Sequence, residues 1–499
     1  MRFDVVIIMI YINNFSQHLL KNNLEALINM IFISELVMIH EFDSFFKPKS
    51  IAVVGASRNS TKIGHAVLKN ILISDYECKL YPINLNEREI LGLKCYKKLI
   101  DVPSTIDLVL ISVPAKTVPH VIRDCVKKKI KKVIIISSGF SETGEVLLED
   151  EIRRTIEGKN IRILGPNTMG YKNASDGLDA SFVFGMPRKG NLSLISQSGA
   201  LGIGMIHLAN NEFVGLSKIV GVGNKINIED DEFIDYFSWD PETKVIGLYI
   251  EKVKDGRAFL NSIKKCDKPV LVVKAGRSIA GARATASHTG SMAGSDDIYD
   301  AAIKQAGGIR CRDIVELFDM ARALAGQPVA IGNRIGIITN GGGLGILLAD
   351  ACEENSLSLP KLTGKTYKII DRILPEHIKP NNPVDLAGDA GFYRYEATTR
   401  ALLEDPTIDG IIVASVHAGY ARPQEYAGAI LKMIRRQSLH EEFKKPILGC
   451  WVGGREFEDL VLDLKTAGVP IYPSSWRTAR AMFGLYLEGQ RLKRERKIS

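Results

Sequence analysis

The stretch Ala284-Thr285-Ala286-Ser287-His288-Thr289-Gly290-Ser291-Met292-Ala293-Gly294-Ser295 contains one side chain able to act as a nucleophile or general base, His288. Its neighbours are nearly all small, so the imidazole is uncrowded. It titrates near neutral pH and offers an unprotonated nitrogen for attack. The stretch follows an apolar strand predicted over Pro269–Ala275. It ends in Ser295-Asp296-Asp297, which suits the start of a helix near Ile298. The same residues also fit a small-residue loop that merely includes one of the chain's nine histidines.

Three further loops have the composition of phosphate cradles. Gly55-Ala56-Ser57, with Gly64 beyond it, joins a strand to a helix whose N-terminus can hold phosphate. As a dinucleotide fingerprint it is incomplete. Ala56 replaces the middle glycine, and Asn84 and Asn86 stand where a nicotinamide cofactor's ribose wants an acid. Arg58 and Lys62 beside the turn favour a ligand with extra phosphate charge, and coenzyme A over NAD. The second loop is Ser196-Gln197-Ser198-Gly199-Ala200-Leu201-Gly202, with Glu251 ending the next strand. The third is Asn340-Gly341-Gly342-Gly343-Leu344-Gly345. Three adjacent glycines burden a fold with backbone entropy, which makes sense where amides must approach a ligand closely; a tight turn with positive φ is the other reading.

These loops need strands to hold them. Short apolar strands are predicted at Ile51–Val54, Lys79–Ile83, Leu108–Val113, Val133–Ser137 and Ile161–Leu164. A second set covers Leu192–Ser196, Val245–Ile250 and Val270–Ala275, and a third Arg334–Thr339, Gly410–Ser415, Pro446–Trp451 and Val469–Tyr472. Continuous Val/Ile runs mark strands buried on both faces, hence parallel sheets covered by helices. The fold class is α/β with three doubly wound domains. The expected boundaries are 43–168, 190–326 and 332–487, with residues 170–189 as a linker, residues 1–42 as an N-terminal extension and 488–499 as a basic tail.

A length of 499 residues suits about three domains. The net charge of +8 is modest, and much of it lies in the tail, read as the solvated end of the last helix. No dispersed basic face with interleaved aromatics argues for nucleic acid. Seven scattered cysteines lack metal or redox spacing and fit a reducing, cytoplasmic setting. Val5–Ile12 is too short to span a bilayer. Residues 1–37 read as an anchor, as a partner-binding helix or, the favoured choice, as sequence upstream of a start at Met38.

Taken together, Ile51-Ala52-Val53-Val54-Gly55-Ala56-Ser57, Gly165-Pro166-Asn167-Thr168-Met169-Gly170, Ser196-Gln197-Ser198-Gly199-Ala200-Leu201, Val222-Gly223-Asn224-Lys225 and Ser287-His288-Thr289-Gly290 identify a resemblance. Over residues 43–487 the chain resembles the NDP-forming acyl-CoA synthetases, the superfamily of succinyl-CoA synthetase, and within it the α subunit of ADP-forming acetate–CoA ligases. The resemblance implies a Rossmann-like CoA-binding domain followed by two flavodoxin-like domains. It implies that phosphate attacks an acyl-CoA, and that a histidine takes the phosphoryl group from the acyl phosphate and passes it to ADP. His288 matches that phosphohistidine, and Glu251 the glutamate that holds the imidazole. Ser198 and Gly199 match one phosphate-binding helix terminus, and Gly341, Gly342 and Gly343 the other. The coenzyme A pattern falls on Gly55, Ala56, Ser57, Lys62, Gly64, Val113, Pro114, Ser138 and Gly139. A departure occurs at Asn84-Leu85-Asn86-Glu87, where succinyl-CoA synthetase places a coenzyme-binding lysine. The resemblance further implies a separate ATP-grasp β subunit that binds ATP or ADP with Mg²⁺, in an α₂β₂ assembly.

Two other classes compete. A coenzyme A-binding sensor would keep the Gly55 loop without needing His288, Glu251 and two phosphate loops. An NAD-dependent dehydrogenase lacks its ribose acid. Among the other histidines, His417 reads as a strand-end structural residue and His65 as a first-turn helix residue near the Gly55 loop.

Overall fold

The computed structural model describes residues 42–289, 295–417, 423–439, 444–453, 458–466 and 469–498. Residues 1–41, and with them the expectations for the N-terminal extension, lie outside the described residues.

Alternate residues of each strand enter different cores, which is what buries both faces of a parallel sheet. In the first sheet Ile51 and Val53 join one apolar cluster while Ala52 and Val54 join another. The five strands run parallel in the order Lys79–Ile83, Ser50–Val54, Leu108–Ile111, Lys132–Ile135 and Arg162–Leu164. The second sheet orders Ile309–Cys311, Val270–Lys274, Val245–Ile250, Lys189–Ser196 and Leu216–Gly221 in parallel. The antiparallel strands Gly170–Asn173 and Leu178–Ser181 extend it. The third sheet is parallel again: Val384–Asp385, Ile335–Thr339, Gly410–Val416, Ile447–Val452 and Ile471–Tyr472. The α/β doubly wound expectation therefore holds for all three sheets.

The stretch 170–189, expected to be a linker, instead forms the antiparallel hairpin and leads directly into a central strand that begins at Lys189. Its polar residues misled the sequence reading because they are buried in pairs. Lys172 bonds Asp179, and Asn70, on the helix Ile63–Leu72 of the first domain, donates to the carbonyls of Ser181 and Val183 at 3.0 Å. Leu216–Gly221 was missed for the same reason, since its buried Lys218 is neutralised by Asp240 at 2.7 Å.

The first two domains share one core. Phe42, Phe45 and Phe46 pack on Tyr171, Phe233 and Tyr236, with Phe46 stacked on Tyr236 at 5.1 Å. Asn227 from the second domain pairs with the edge strand of the first, accepting from Ile163 N at 2.8 Å and donating to Ile161 O at 2.7 Å. That arrangement blunts an otherwise open edge.

The second and third domains are joined by the helix Ser475–Ile498, which packs along Ile314–Gly326. Arg477 grips the buried Asp319 with two bonds of 2.7 Å, and Arg480 pairs with Glu316. The basic tail continues this helix as expected, but Arg491 is not solvated: it donates to Cys266 O at 3.1 Å and Asp267 O at 2.7 Å. All seven cysteines are free thiols, six of them buried. Among the described residues no helix is long and apolar enough to cross a membrane.

Burial raises the Asp319 carboxyl, and Arg477 only partly offsets this. Arg477→Ala should cost about 3 kcal/mol in denaturant unfolding by leaving that buried charge without its two hydrogen bonds and with only Arg322 to offset it. Asp319 then takes up a proton more readily in the folded state than in the unfolded one, so stability falls as pH rises. The deficit against wild type should therefore narrow in acid.

Candidate active site

Parallel strands deliver their carboxyl ends to one edge of a sheet, which is where α/β folds assemble ligand sites. In the second sheet three neighbouring strands do this with the residues singled out by chemistry. Lys189–Ser196 leads to Ser198, Val245–Ile250 to Glu251, and Val270–Lys274 to the helix Ile279–Thr289 that carries position 288.

The expected loop over 284–295 is helical through Thr289. Alternating alanines at 280, 282, 284 and 286 are strong helix formers, and their small size had suggested a loop. Gly290–Gly294 and the side chain of His288 lie outside the described residues. The next helix starts at Asp296, slightly earlier than expected. Ser295 sits at its N-cap without a side-chain capping bond.

Ser198 caps the helix Gly199–Asn211, its Oγ accepting from Leu201 N at 3.3 Å. Met169 packs behind this helix, its Sδ 3.0 Å from where a Cβ on Gly202 would stand. The backbone of Glu251 is held by Gln197. Gln197 Oε1 accepts from Glu251 N at 2.8 Å and Lys252 N at 2.9 Å, and the Tyr249 hydroxyl donates to Glu251 Oε1 at 3.4 Å. Burial, with Glu251's charge adding, pushes the Tyr249 phenol up to about 12, so it stays a donor at neutral pH.

Gln197 belongs to a chain of bonds that sequence reading did not foresee. Its Nε2 donates to Asp230 Oδ2 at 2.8 Å, and Lys225 Nζ meets the same oxygen at 2.7 Å. Beside Lys225, Asn224 Nδ2 donates to Glu142 Oε2 at 2.6 Å and Glu149 Oε1 at 2.7 Å. Glu142 in turn accepts from Gly139 N at 2.6 Å and Phe140 N at 3.2 Å. Burial alone would raise the Glu142 carboxyl, but the Asn224 amide and these backbone amides together hold it low. The network ties the loop at Ser138-Gly139 to Glu251. The quoted motifs containing Gln197, Asn224 and Lys225 were the available signal; Asp230 and Glu142 had none.

The Gly55, Val113 and Gly139 loops lie at the ends of neighbouring strands in the first sheet. Gly55 has φ +90°, and a Cβ there would stand 2.2 Å from Ser112 O. A Cβ on Gly64 would stand 2.0 Å from Gly55 O, so this glycine lets the helix start press against the loop. Ala56 is buried and its carbonyl accepts from Asn84 Nδ2 at 2.8 Å, while Ser57 O lies 2.9 Å from His65 Nδ1. Lys62, Pro114 and Ser138 are exposed at the mouth. Val113 is braced by Ser137, whose Oγ accepts from its amide and donates to its carbonyl. Two expectations change in detail. The Gly139 amide is already taken by Glu142, and Arg58 is engaged with Glu87 at 3.0 Å and Glu89 O at 2.8 Å.

In the third domain Gly341 caps the helix Gly342–Glu354. None of Gly341, Gly342 and Gly343 has positive φ, so a turn does not explain the run. Gly341 makes room for Val416, 2.7 Å from its would-be Cβ, and Gly342 faces Asp385, whereas Gly343 opens onto empty space. His417 is exposed just beyond its strand. No hydrogen bond among the described residues links this loop to the Ser198 loop.

Asp230→Asn should be destabilising, by about 3 kcal/mol, because buried Lys225 would lose its 2.7 Å carboxylate and keep only Glu229 at 3.7 Å. Urea unfolding would measure it, and a Gln197→Ala chain should lose much less.

Three family models match the chain. A CoA-binding domain covers residues 49–174, a succinyl-CoA ligase-like flavodoxin domain 189–324, and a ligase-CoA domain 335–493. The α subunit of an ADP-forming acetate–CoA ligase (isoform I) from Pyrococcus furiosus is 41% identical, the alignment covering 89% of this chain and 97% of that one. An ADP-forming acetate–CoA ligase from Methanocaldococcus jannaschii is 40% identical over 88% of this chain and 62% of its own longer length. The solved dinucleotide-forming acetyl-coenzyme A synthetase 1 of Ca. Korarchaeum cryptofilum, in complex with phosphate and ADP, superposes with a TM-score of 0.87. It is 37% identical, and the match covers 92% of this chain and 99% of that one.

Proposed function

The chain belongs to the ADP-forming acetate–CoA ligase family, and on that premise we propose that it is an α subunit that makes and passes on a phosphohistidine at His288. The observation that supports this most directly is the convergence of Ser198, Glu251 and the His288-bearing helix on adjacent strand ends.

An inorganic phosphate oxygen attacks the thioester carbonyl of acyl-CoA. The C–S bond breaks, the thiolate takes a proton, and acyl phosphate and coenzyme A result. An imidazole nitrogen of His288 then attacks phosphorus, and the carboxylate leaves with the bridging oxygen. Transfer of the phosphoryl group to the terminal phosphate of ADP gives ATP and restores the imidazole. Glu251 accepts the other ring N–H, fixing the tautomer and balancing the charge of the phosphorylated ring. The amides and dipoles at Ser198-Gly199, and at Gly341-Gly342-Gly343, face a charged transfer state with little reorganisation. Coenzyme A is held by the loops at Gly55–Ser57, Lys62–Gly64, Val113-Pro114 and Ser138-Gly139. An ATP-grasp β subunit supplies the site for ADP and Mg²⁺, in an α₂β₂ assembly.

Incubating the chain with acetyl-CoA and phosphate should add one phosphate by intact mass. That phosphate should be labile to acid, stable to alkali and missing from His288→Asn. No phosphate on wild type, even from ATP in the presence of the β subunit, would leave a coenzyme-binding module. Separately, Gly64→Ala should weaken coenzyme A binding by about tenfold or more in calorimetry, because the Gly55 loop must shift to admit the methyl.

A further inference from the structure

Arg277 stands between the strand Val270–Lys274 and the helix Ile279–Thr289 that carries position 288, and Asp296 opens the helix Asp296–Gln305 that leads to the edge strand Ile309–Cys311. Both residues are joined to each other and to the neighbouring edge strand. Asp296 Oδ1 accepts from Arg310 Nη2 at 2.9 Å, and its Oδ2 lies 3.7 Å from Arg277 Nε. Arg277 Nη1 donates to Arg312 O at 3.1 Å. Beneath them Lys274 is buried, its ammonium 4.7 Å from the centre of the Tyr299 ring on the helix Asp296–Gln305.

One carboxylate thus faces three cations. The Arg310 side chain is only 7% exposed, and its buried Nε and Nη1 have no hydrogen-bond partner among the described residues. Among the described residues Asp296 is the acid that pairs with it. Burial pushes the Lys274 ammonium down, and Asp296 is the first of the charges opposing that shift. The neighbouring Asp297 carries the same charge at the same helix end and makes no ion pair among the described residues. Helix-end electrostatics alone would treat the two acids alike; the geometry does not.

We propose that Asp296 is a positioning residue for phosphoryl transfer: by holding Arg277, just ahead of the helix Ile279–Thr289, to Arg310 on the edge strand, it sets where that helix presents position 288. This rests on the phosphohistidine reading above. The carboxylate touches neither substrate nor coenzyme. Its effect belongs in the rate of phosphorylation rather than in acyl-CoA binding, since near-attack geometry governs such rates.

The test uses the full chain as wild type, Asp296→Asn, Asp296→Glu and Asp297→Asn. Phosphate incorporation is followed at saturating acetyl-CoA with radiolabelled phosphate, alongside coenzyme A affinity. Asp296→Asn should slow incorporation by about tenfold or more, with coenzyme A affinity within about twofold of wild type. Asp296→Glu should recover part of the rate, and Asp297→Asn should match wild type. A wild-type rate in Asp296→Asn, an equal slowing in Asp297→Asn, or a parallel loss of coenzyme A binding would overturn the proposal. Hydrogen exchange in the helix Ile279–Thr289 supplies a readout free of the chemistry. It should quicken in Asp296→Asn and not in Asp297→Asn; equal exchange in all four chains would overturn the clamp. If wild type takes no phosphate while exchange still quickens in Asp296→Asn, the phosphohistidine reading fails, and the assigned role in transfer falls with it.

Discussion

The backbone of Glu251 is linked through Gln197 to one buried carboxylate oxygen. Asp230 Oδ2 receives the Lys225 ammonium and the Gln197 amide, and the other end of Gln197 receives the backbone of Glu251 and Lys252. Because Asp230 is buried, its two donors cannot trade it for water. The strand end that presents Glu251 is therefore set by the same contact that seats the Val222–Lys225 turn. From that turn Asn224 reaches the Glu142 carboxylate, which braces the Gly139 loop of the first domain. The Gly139 loop of the first domain and the strand end at Glu251 are thus parts of one hydrogen-bonded assembly.

A second constraint is steric. Gly223 adopts φ +60° with its would-be Cβ 2.1 Å from Pro166 O, so the Gly165–Gly170 segment lies directly over the second sheet. Thr168 bonds Gly221 O, and Met169 fills the space behind the Ser198 helix. Two motifs far apart in sequence are halves of one contact, and their glycines serve backbone approach within the protein. The Gly341–Gly343 run differs. Gly343 has neither a neighbour nor a special φ to explain it, which leaves room for a ligand.

Apolar periodicity made most of the three sheets readable, because a buried parallel strand is a run of Val and Ile. It failed where a strand buries charge. Lys218 and Lys172 look like surface residues until Asp240 and Asp179 are placed beside them, and no spacing rule pairs residues on different elements. The histidine segment failed in the opposite sense, since its alanines signal small size and helix alike. At the candidate site the residues proposed for chemistry stood out by type, whereas Asp230 and Glu142, which brace the loops around them, did not. Their importance comes from burial and from partners 33 and 82 positions away.

The helix Ser475–Ile498 has a consequence for the order of events during synthesis. Asp319 and Glu316 lie on the helix that closes the second domain, and their arginines follow 158 and 164 positions later. Arg491 reaches back 225 positions to Cys266. As the nascent chain lengthens, the first sheet can consolidate early. The second is left with two acids awaiting counter-ions while the whole third sheet is being made. Its completion is thereby coupled to the arrival of the last helix, and the second and third domains mature together.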